Sequence, residues 1–335
     1  MKSLFYPEYG RLSITDTPTP TPESDCVIVK VAACGICGSE IETFMNRNPR
    51  RKPPLVMGHE FCGTVTTTGK EARKFKVGDH VIANSIVHCG SCAMCAEGWT
   101  HLCEKRQVFG MHRPGAFAEL VNVPERVLVA WPAGLPAEQA VLAEPMANGI
   151  HVANLLGHIP GKTALVIGAG PIGLMCQVAL TALRGATVYV TDLNTDRLKI
   201  AQELGAVIPS STEPEQLRTW LKSTAGRGFD VIVDAVGSSG TKRDSLALLR
   251  PGGACVWIGL HENPLTFNSY EVTLPEKQIL GTYAATVKEL AAATELVASG
   301  RFKLGRLISS YSLDEGISAF EDACAAKTIK SVVIP

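Results

Sequence analysis

The sequence has no apolar run long enough for a membrane-spanning helix, which needs roughly eighteen or more consecutive apolar residues. It also has no excess charge of either sign, because 32 Lys and Arg residues balance 32 Asp and Glu residues. A chain without net positive charge has no overall field that attracts nucleic acid or an anionic membrane. The segment from Met1 to Pro7 lacks the long apolar core of a signal peptide. These absences predict a cytoplasmic protein with neither nucleic acid nor a membrane as a partner.

Cysteine is plentiful, but the 11 cysteines are odd in number and cannot all pair. Disulfides are also rare in a reducing compartment, so their spacing suggests metal binding instead. Four of them cluster in one short segment with small residues between them: Cys89, Cys92, Cys95 and Cys103. Four thiolates can close a tetrahedron around one zinc ion. The alternative is a set of reduced free thiols, which would have no packing reason to be so regularly spaced. We therefore predict a structural zinc site.

A second set of candidate ligands consists of Cys37, His59 and Glu60. A thiolate, an imidazole and a carboxylate are typical of catalytic zinc, which leaves one position for water or substrate. Taken alone, a cysteine and a histidine this far apart are more often a buried thiol and a core histidine than a pair of ligands. The four-cysteine segment favours ligation. Further along, Glu144 lies in an apolar segment, where a buried carboxylate needs a cation or a donor beside it.

The segment from Thr163 to Asp192 predicts a strand, a glycine turn, a helix and a second strand that ends on an acid. The turn has the sequence Gly168-Ala169-Gly170-Pro171-Ile172-Gly173. Its glycines allow a tight turn, close approach of a pyrophosphate and close packing of helix and strand, and Pro171 suits a first helical turn. Asp192 stands where a carboxylate binds an adenosine ribose and repels the extra phosphate of NADP. The alternative is a plain strand–helix–strand turn, but every part falls at the distance that dinucleotide binding requires.

The middle of the chain continues to alternate between predicted strands and helices. The predicted elements are a helix over 194–204, a strand over 229–234, a helix over 245–250, and strands over 254–259 and 279–283. Such alternation builds a doubly wound parallel sheet. The first part of the chain instead has the short alternating segments of antiparallel strands. We therefore predict an α/β protein with a β-rich domain and a parallel-sheet domain.

Taken together, these segments resemble the zinc-dependent medium-chain alcohol and polyol dehydrogenases, and within them the sorbitol, galactitol-phosphate and threonine dehydrogenase branch. The resemblance covers nearly the whole chain and rests on the G-I-C-G-S and G-H-E segments, the four cysteines, the Glu-Pro segment and the G-A-G-P-I-G turn. It implies a GroES-like β-rich catalytic domain over 1–148 and 284–335, and a Rossmann domain over 149–283. It also implies a homodimer or a homotetramer.

The resemblance further implies two zinc ions per subunit and reversible hydride transfer between a secondary alcohol of a small polyol and NAD. The implied first shell of the active zinc is Cys37, His59, Glu60 and Glu144. One of the two glutamates would exchange with water. Ser39 would hydrogen-bond the substrate hydroxyl and pass its proton on, and Arg197 would lie near the adenosine ribose. Alternatives are a dehydrogenase of a polyol phosphate or of a β-hydroxy amino acid, a zinc-free quinone reductase, and a zinc-module protein that binds nucleic acid.

Some positions depart from the family pattern. Many relatives have Asp in place of Glu40, and His in place of Glu42, where the histidine completes a proton relay. The arginine of sorbitol-type enzymes is missing near Tyr283. A cationic loop from Arg47 to Pro54 could bind a phosphate or carboxylate of the substrate, and the alternative is a solvated loop. In that case specificity would come from the cleft floor, around Phe44, Phe109 and Tyr283.

Overall fold

A computed structural model describes residues 1–45 and 50–335, with side chains at all of these positions except 214, 218 and 225. The described chain forms two compact units. The first unit consists of Met1–Ala147 and Ala284–Pro335, and the second of Asn148–Tyr283. Among the described residues, none of the helices combines the length and the apolar character that crossing a membrane would require.

The strands of the first unit are β1 (Lys2–Glu8), β2 (Arg11–Asp16), β3 (Cys26–Gly35), β4 (Leu55–Val56), β5 (Glu60–Thr68), β6 (His80–Ala83), β7 (Ile86–Val87), β8 (Gln107–Val108), β9 (Leu120–Pro124), β10 (Leu128–Ala130), β16 (Ile308–Ser312) and β17 (Lys330–Ile334). Those of the second unit are β11 (Thr163–Ile167), β12 (Thr187–Thr191), β13 (Phe229–Asp234), β14 (Leu249–Trp257) and β15 (Gln278–Gly281). The helices are α1 (Gly38–Phe44), α2 (Ala93–Ala96), α3 (Ala137–Ala140), α4 (Ala143–Leu155), α5 (Pro171–Arg184), α6 (Thr195–Glu203), α7 (Pro214–Ala225), α8 (Ser239–Ala247), α9 (Tyr270–Thr273), α10 (Val287–Ala298) and α11 (Gly316–Cys324).

The first unit is built around strand β3. Its main sheet has the order β10-β6-β5-β3-β17-β16, and β9 also pairs with β3. Most residues of β3 are buried, as expected for a central strand. Aromatic side chains fill the adjoining core, where the rings of Phe117 and Phe320 meet edge to face with centroids 5.5 Å apart. The predicted β-rich domain is confirmed, and α1 follows directly from the end of β3.

The second unit is a five-stranded parallel sheet in the order β12-β11-β13-β14-β15. The predicted strand, glycine turn, helix and strand are confirmed as β11, α5 and β12. Gly168 has a φ of 99°, which favours glycine. A Cβ at Gly173 would lie 1.8 Å from the carbonyl oxygen of Gly168, so close packing excludes any side chain there. No atom lies within 4 Å of a Cβ built on Gly170, which leaves space beside the turn.

The predicted helix over 245–250 is wrong. Helix α8 begins at Ser239 and ends at Ala247, and Leu249 already belongs to β14. The start is fixed by a capping box, since the Ser238 hydroxyl accepts a hydrogen bond from the Thr241 amide at 3.1 Å. The Thr241 hydroxyl accepts one from the Ser238 amide at 3.0 Å. The polar cap, rather than the apolar run that follows it, therefore determines where this helix lies.

Candidate metal centres and cofactor site

Cys37, His59 and Glu60 come together in the first unit. Cys37 is the N-cap of α1, His59 precedes β5, and Glu60 is the first residue of β5. One ligand atom from each lies within 4.8 Å of the others. His59 and Glu60 are 7% and 1% exposed, so the group is largely shielded from water. A thiol, an imidazole and a carboxylate at this spacing fit the donor preference of zinc.

Glu40 orients this group. Its Oε1 lies 2.8 Å from Nδ1 of His59 and accepts a hydrogen bond from the Gly58 amide at 2.8 Å. Its Oε2 accepts one from the Cys37 amide at 3.0 Å, which completes a capping box on α1. Burial alone would raise the pKa of Glu40, but His59, Arg51 and the amide donor lower it to about 2. Because Nδ1 is bound to this carboxylate, Nε2 of His59 is the nitrogen left for a metal.

Glu60 has a second partner in Lys330. The Lys330 Nζ donates hydrogen bonds to Oε2 of Glu60 and, at 3.0 Å, to the carbonyl of Ile36. Both side chains are 1% exposed. Burial alone would lower the pKa of Lys330, but the charges of Glu60 and Cys37 more than offset this and raise it. Sequence reasoning missed Lys330, because a single lysine in a C-terminal strand carries no motif.

Glu144 and Ser39 lie close to this group without joining it. Glu144 lies in the first turn of α4 and is 6% exposed. Its carboxylate is not part of the group in which ligand atoms of Cys37, His59 and Glu60 lie within 4.8 Å of one another. Burial and the charge of Glu60 raise its pKa, whereas His59 and a hydrogen bond with Ser85 act in the opposite direction. Ser39 is half-buried, two residues after Cys37 on α1.

The structure corrects the interpretation of the cationic loop. Arg47, together with Asn48 and Pro49, lies outside the described residues. Arg51 is 1% exposed, and its Nη1 donates to the carbonyl of Ser39 at 2.9 Å and to Oγ1 of Thr43 at 3.2 Å. It is therefore neither solvated nor presented at the surface for an anion, and both hypotheses are wrong for this residue. A buried guanidinium needs acceptors, and α1 supplies them.

The four predicted thiols of the second site also meet. The four Sγ atoms all lie within 4.8 Å of one another; they belong to Cys89, Cys92, Cys95 and Cys103. The Sγ of Cys92 lies 3.6 Å from that of Cys95 and 3.8 Å from that of Cys103. Hydrogen bonds from the amide and hydroxyl of Ser91 lower the pKa of the Cys89 thiol to about 6. A readily formed thiolate in a closed group of four sulfurs fits a structural zinc ion.

In the second unit, a cavity of about 710 Å³ opens beside the glycine turn. Of the predicted cofactor residues, Gly168, Asp192 and Arg197 line it, whereas Gly170, Pro171, Ile172 and Gly173 form the cap and first turn of α5. Oδ2 of Asp192 accepts from the Ala169 amide at 2.7 Å, and its Oδ1 accepts from the Asn194 amide at 2.8 Å. These bonds hold the carboxylate at the cavity while leaving lone pairs for a ribose hydroxyl.

Sequence reasoning missed Lys222, which also lines this cavity. It belongs to α7, a helix that was not predicted. Its signal was a proline at the first helical position followed by apolar residues at helical spacing. Together, Lys222 and Arg197 place two cations at a cavity that also carries the carboxylate of Asp192.

A zinc-type ligand group in one unit and a glycine turn beside a cavity in a parallel-sheet unit define a metal-dependent, dinucleotide-dependent oxidoreductase. Residues 23–133 match the model of the alcohol dehydrogenase GroES-like domain, and residues 171–299 match that of the zinc-binding dehydrogenases. The chain belongs to the zinc-dependent medium-chain polyol dehydrogenase family.

Individual relatives match over the full length. Sorbitol dehydrogenase of Bacillus subtilis is 33% identical, with 100% of this chain and 97% of the relative covered. D-arabitol-phosphate dehydrogenase of Enterococcus avium is 32% identical, with coverage of 98% and 95%. A zinc-binding dehydrogenase of Sinorhizobium meliloti 1021, solved with NADP, superposes with a TM-score of 0.90 at 31% identity, covering 100% of this chain and 99% of that one. The chain is accordingly an oxidoreductase that acts on the CH–OH group of a small alcohol.

Proposed function

We propose that this enzyme oxidises a secondary alcohol of a small polyol, reversibly, with NAD as the hydride acceptor and zinc at the Cys37–His59–Glu60 group. The observation that carries the proposal is the buried convergence of these three ligands, with His59 fixed by Glu40. A thiol, an imidazole and a carboxylate that meet in a largely shielded site form the donor set that a catalytic zinc ion takes in proteins.

The donor sets support one open and one closed site. Cys37, His59 and Glu60 would hold the catalytic ion, with Glu144 as a further carboxylate near it. Cys89, Cys92, Cys95 and Cys103 would hold the structural ion, which gives two zinc ions per subunit. When bound, zinc supplies a Lewis acid that lowers the pKa of the substrate hydroxyl, and NAD supplies the acceptor for hydride.

Within this arrangement the chain's own residues move the proton and keep the ligands in place. Ser39 accepts the proton of the substrate hydroxyl and passes it towards solvent. Glu42, half-buried one turn further along α1, is the candidate to receive it in place of the histidine of relatives. Glu40 stays ionised and holds the His59 ring in the tautomer that a metal requires.

NAD is proposed rather than NADP, because the carboxylate of Asp192 favours a free ribose hydroxyl and repels a phosphate. Arg197 and Lys222 line the same cavity and weaken that repulsion. The kcat/KM for NAD should therefore exceed that for NADP, but only by a moderate factor. The glycine turn from Gly168 to Gly173 would receive the pyrophosphate at the N-terminus of α5.

A neutral polyol is the first candidate substrate. A polyol phosphate is the second, because the Enterococcus avium relative is named as a dehydrogenase of such a compound. Arg50 and Lys52 remain as exposed cations of the loop, whereas Arg51 is not available. A β-hydroxy amino acid such as threonine is a third compound to be tested, from the resemblance to threonine dehydrogenases.

The remaining proposals concern domain bounds, localisation and oligomeric state. We propose one domain over 1–148 and 284–335 and another over 149–283, in a protein that is located in the cytoplasm. We also propose that the protein forms a homodimer or a homotetramer. Strand β15 ends the parallel sheet, and among the described residues of the second unit Leu260, Tyr270 and Leu274 are exposed large apolar side chains. A strand edge and exposed apolar side chains each favour association with a second copy. Light scattering on the purified protein measures the oligomeric state.

The decisive test is a substrate screen with NAD at two ionic strengths, using neutral polyols, polyol phosphates and β-hydroxy amino acids. The proposal expects turnover with a neutral polyol and a KM that hardly depends on salt. A preference for the phosphate, with a KM that rises steeply with salt, would favour the second candidate. Full activity in a preparation free of zinc would refute the proposal itself.

A further inference from the structure

Lys330 is a buried lysine that approaches the candidate zinc ligands from the last strand of the chain. Its side chain is 1% exposed, and Nζ donates to the carbonyl of Ile36 at 3.0 Å as well as to Oε2 of Glu60. Glu60 is itself 1% exposed. A full positive charge therefore stands against a candidate metal ligand with little water to screen it.

Three neighbouring strands build this contact. β3 lies between β5 and β17, and Gly35 at its end is paired with Glu60 on one side and with Val332 on the other. A Cβ at Gly35 would lie 2.6 Å from Oε2 of Glu60 and 2.7 Å from Cε of Lys330. The φ of Gly35 is not in the left-handed region, so the backbone does not require glycine there. A side chain at position 35 would therefore displace the ends of Glu60 and Lys330 from the space in which they meet.

Glu60 belongs to the candidate ligand group and is bonded to Lys330 at the same time. Its ligand atom lies within 4.8 Å of those of Cys37 and His59, while its Oε2 is bonded to Lys330. A catalytic zinc ion must give one position to the substrate. A buried carboxylate that gave up the metal without another cation would be left as an unpaired charge, which is strongly unfavourable.

We propose that Lys330 is a positioning residue that holds Glu60 whenever the substrate takes its position on the metal. When Glu60 leaves the metal, its carboxylate remains paired with Lys330 and does not become an unpaired buried charge. Without Lys330, Glu60 loses this cationic partner and stays on the metal, where it competes with every incoming ligand. This inference rests on the proposed zinc site and adds the residue that controls its open position.

The test uses cobalt(II) in place of zinc, because its visible spectrum responds to a change of ligands. Imidazole is the probe, as a small neutral ligand that can occupy the open position. In Lys330→Met, on the order of tenfold more imidazole should be needed for the same spectral change, and kcat should fall by roughly 10- to 100-fold, the usual effect of a residue behind a metal ligand. Release of the metal to a chelator should become slower, because Glu60 remains bound.

Lys242→Met is the matched control. Lys242 is also a buried lysine, 8% exposed, and its Nζ donates to the carbonyl of Glu262 at 2.7 Å in the second unit. Its loss should lower the melting temperature but leave the imidazole titration at the wild-type position. An equal shift in both variants would mean that loss of a buried lysine, and not loss of the Glu60 partner, caused the effect.

Two further variants isolate the role of Glu60. In a Glu60→Gln background the neutral amide needs no cation, so adding Lys330→Met should change the imidazole titration no further. Gly35→Ala should push Lys330 and Glu60 apart and reproduce the Lys330→Met titration with the lysine still present, even if Lys330→Met itself folds poorly. The inference is overturned if Lys330→Met and Gly35→Ala both give the wild-type imidazole titration. It is also overturned if Lys330→Met shifts the titration equally in the wild-type and Glu60→Gln backgrounds. If Cys37→Ser retains all of the cobalt, the proposed zinc site fails as well.

Discussion

Oε1 of Glu40 lies 2.8 Å from Nδ1 of His59, and the carboxylate is fully buried. The same glutamate accepts hydrogen bonds from the amides of Gly58 and Cys37. One side chain therefore fixes the ring of one candidate zinc ligand and the backbone of another. Position 40 departs from the family pattern, and the glutamate that stands there reaches both the ring and the two amides.

Replacing Glu40 by Gln should weaken zinc binding at the Cys37–His59–Glu60 group by roughly 10- to 100-fold. The amide cannot hold His59 by charge, and it can present an N–H where an acceptor is needed. Competition with a chelator measures the affinity. Glu42→Gln is the control on the same helix and should bind zinc as the wild type does. Equal affinities in the two variants would show that Glu40 does not orient the site.

Metal analysis of variants should distinguish the two ligand groups. The wild type should contain about two zinc ions per subunit, one in an open and one in a closed site. Cys37→Ser should lose one ion and all turnover while keeping its melting temperature, whereas Cys92→Ser should lose the other ion and unfold at lower temperature. Zinc content and thermal unfolding of both variants measure this. Loss of stability in Cys37→Ser alone would reverse the assignment of the two sites.

Asp192→Ala should bring the kcat/KM values for NAD and NADP closer together. The change removes the carboxylate that favours the free ribose hydroxyl and leaves Arg197 and Lys222 at the cavity. Lys222→Ala, in contrast, should lower activity with NADP more than with NAD. Steady-state kinetics with both cofactors provide the comparison. Equal kcat/KM values for the two cofactors in the wild type would contradict the assignment to NAD.

Ser39→Ala should lower kcat by on the order of a hundredfold, the usual scale for a positioned proton-transfer group. Stability should hardly change, because the contacts of Ser39 with Arg51 and Thr43 go through its carbonyl oxygen. Thermal unfolding is therefore the control for the kinetic measurement. An unaltered pH–rate profile in Glu42→Gln would remove Glu42 from the proton path and leave it as a surface carboxylate.

Asp230 should make the second unit sensitive to acid. Its Oδ1 accepts from Nε of Arg250 at 2.5 Å and its Oδ2 from the Thr163 amide at 3.0 Å. Burial alone would raise the pKa of Asp230, but these partners lower it. The ionised form therefore stabilises the fold above the unfolded pKa of about 3.9, and this contribution is lost as the pH falls through the lower folded pKa.

We accordingly expect Asp230→Asn to reduce the free energy of unfolding at pH 7, and the difference from the wild type to shrink as the pH falls below about 4. Urea unfolding across this range measures it. Asp196→Asn is the control, because Asp196 also pairs with a cation, Lys199, but both side chains are well exposed. A difference that stays constant with pH would show that the charge of Asp230 is not the cause.

Much of the fold and of the candidate sites is predictable from the sequence, because the residues that indicate them are close together in the chain. The strand, glycine turn and helix from Thr163 to Arg184 form locally, and four cysteines within one segment can meet without knowledge of the rest of the fold. The helix over 245–250 was placed wrongly because its apolar residues fit either helix α8 or strand β14, and the cap at Ser238 decided between them.

The residues that were missed depend on distant contacts. Arg51 has the composition of a surface loop, and only the carbonyl and hydroxyl acceptors of α1 make its burial possible. Lys330 lies 270 positions from Glu60 in the chain, and no sequence pattern connects them. The pairing of β17 with β3 is what brings them together.

That pairing also sets the order in which the protein can mature. β17 contacts the Cys34–Gly35 end of β3, whereas every strand of the second unit lies within Asn148–Tyr283. On the ribosome, the second unit emerges complete and can fold while the end of β3 beside Cys37 still has an open edge. Domains fold as units from the N-terminal side, and an open strand edge exposes a nascent chain to aggregation. A ribosome stalled before residue 330 would therefore carry a second unit that is complete and able to fold, and a first unit that still exposes this edge of β3.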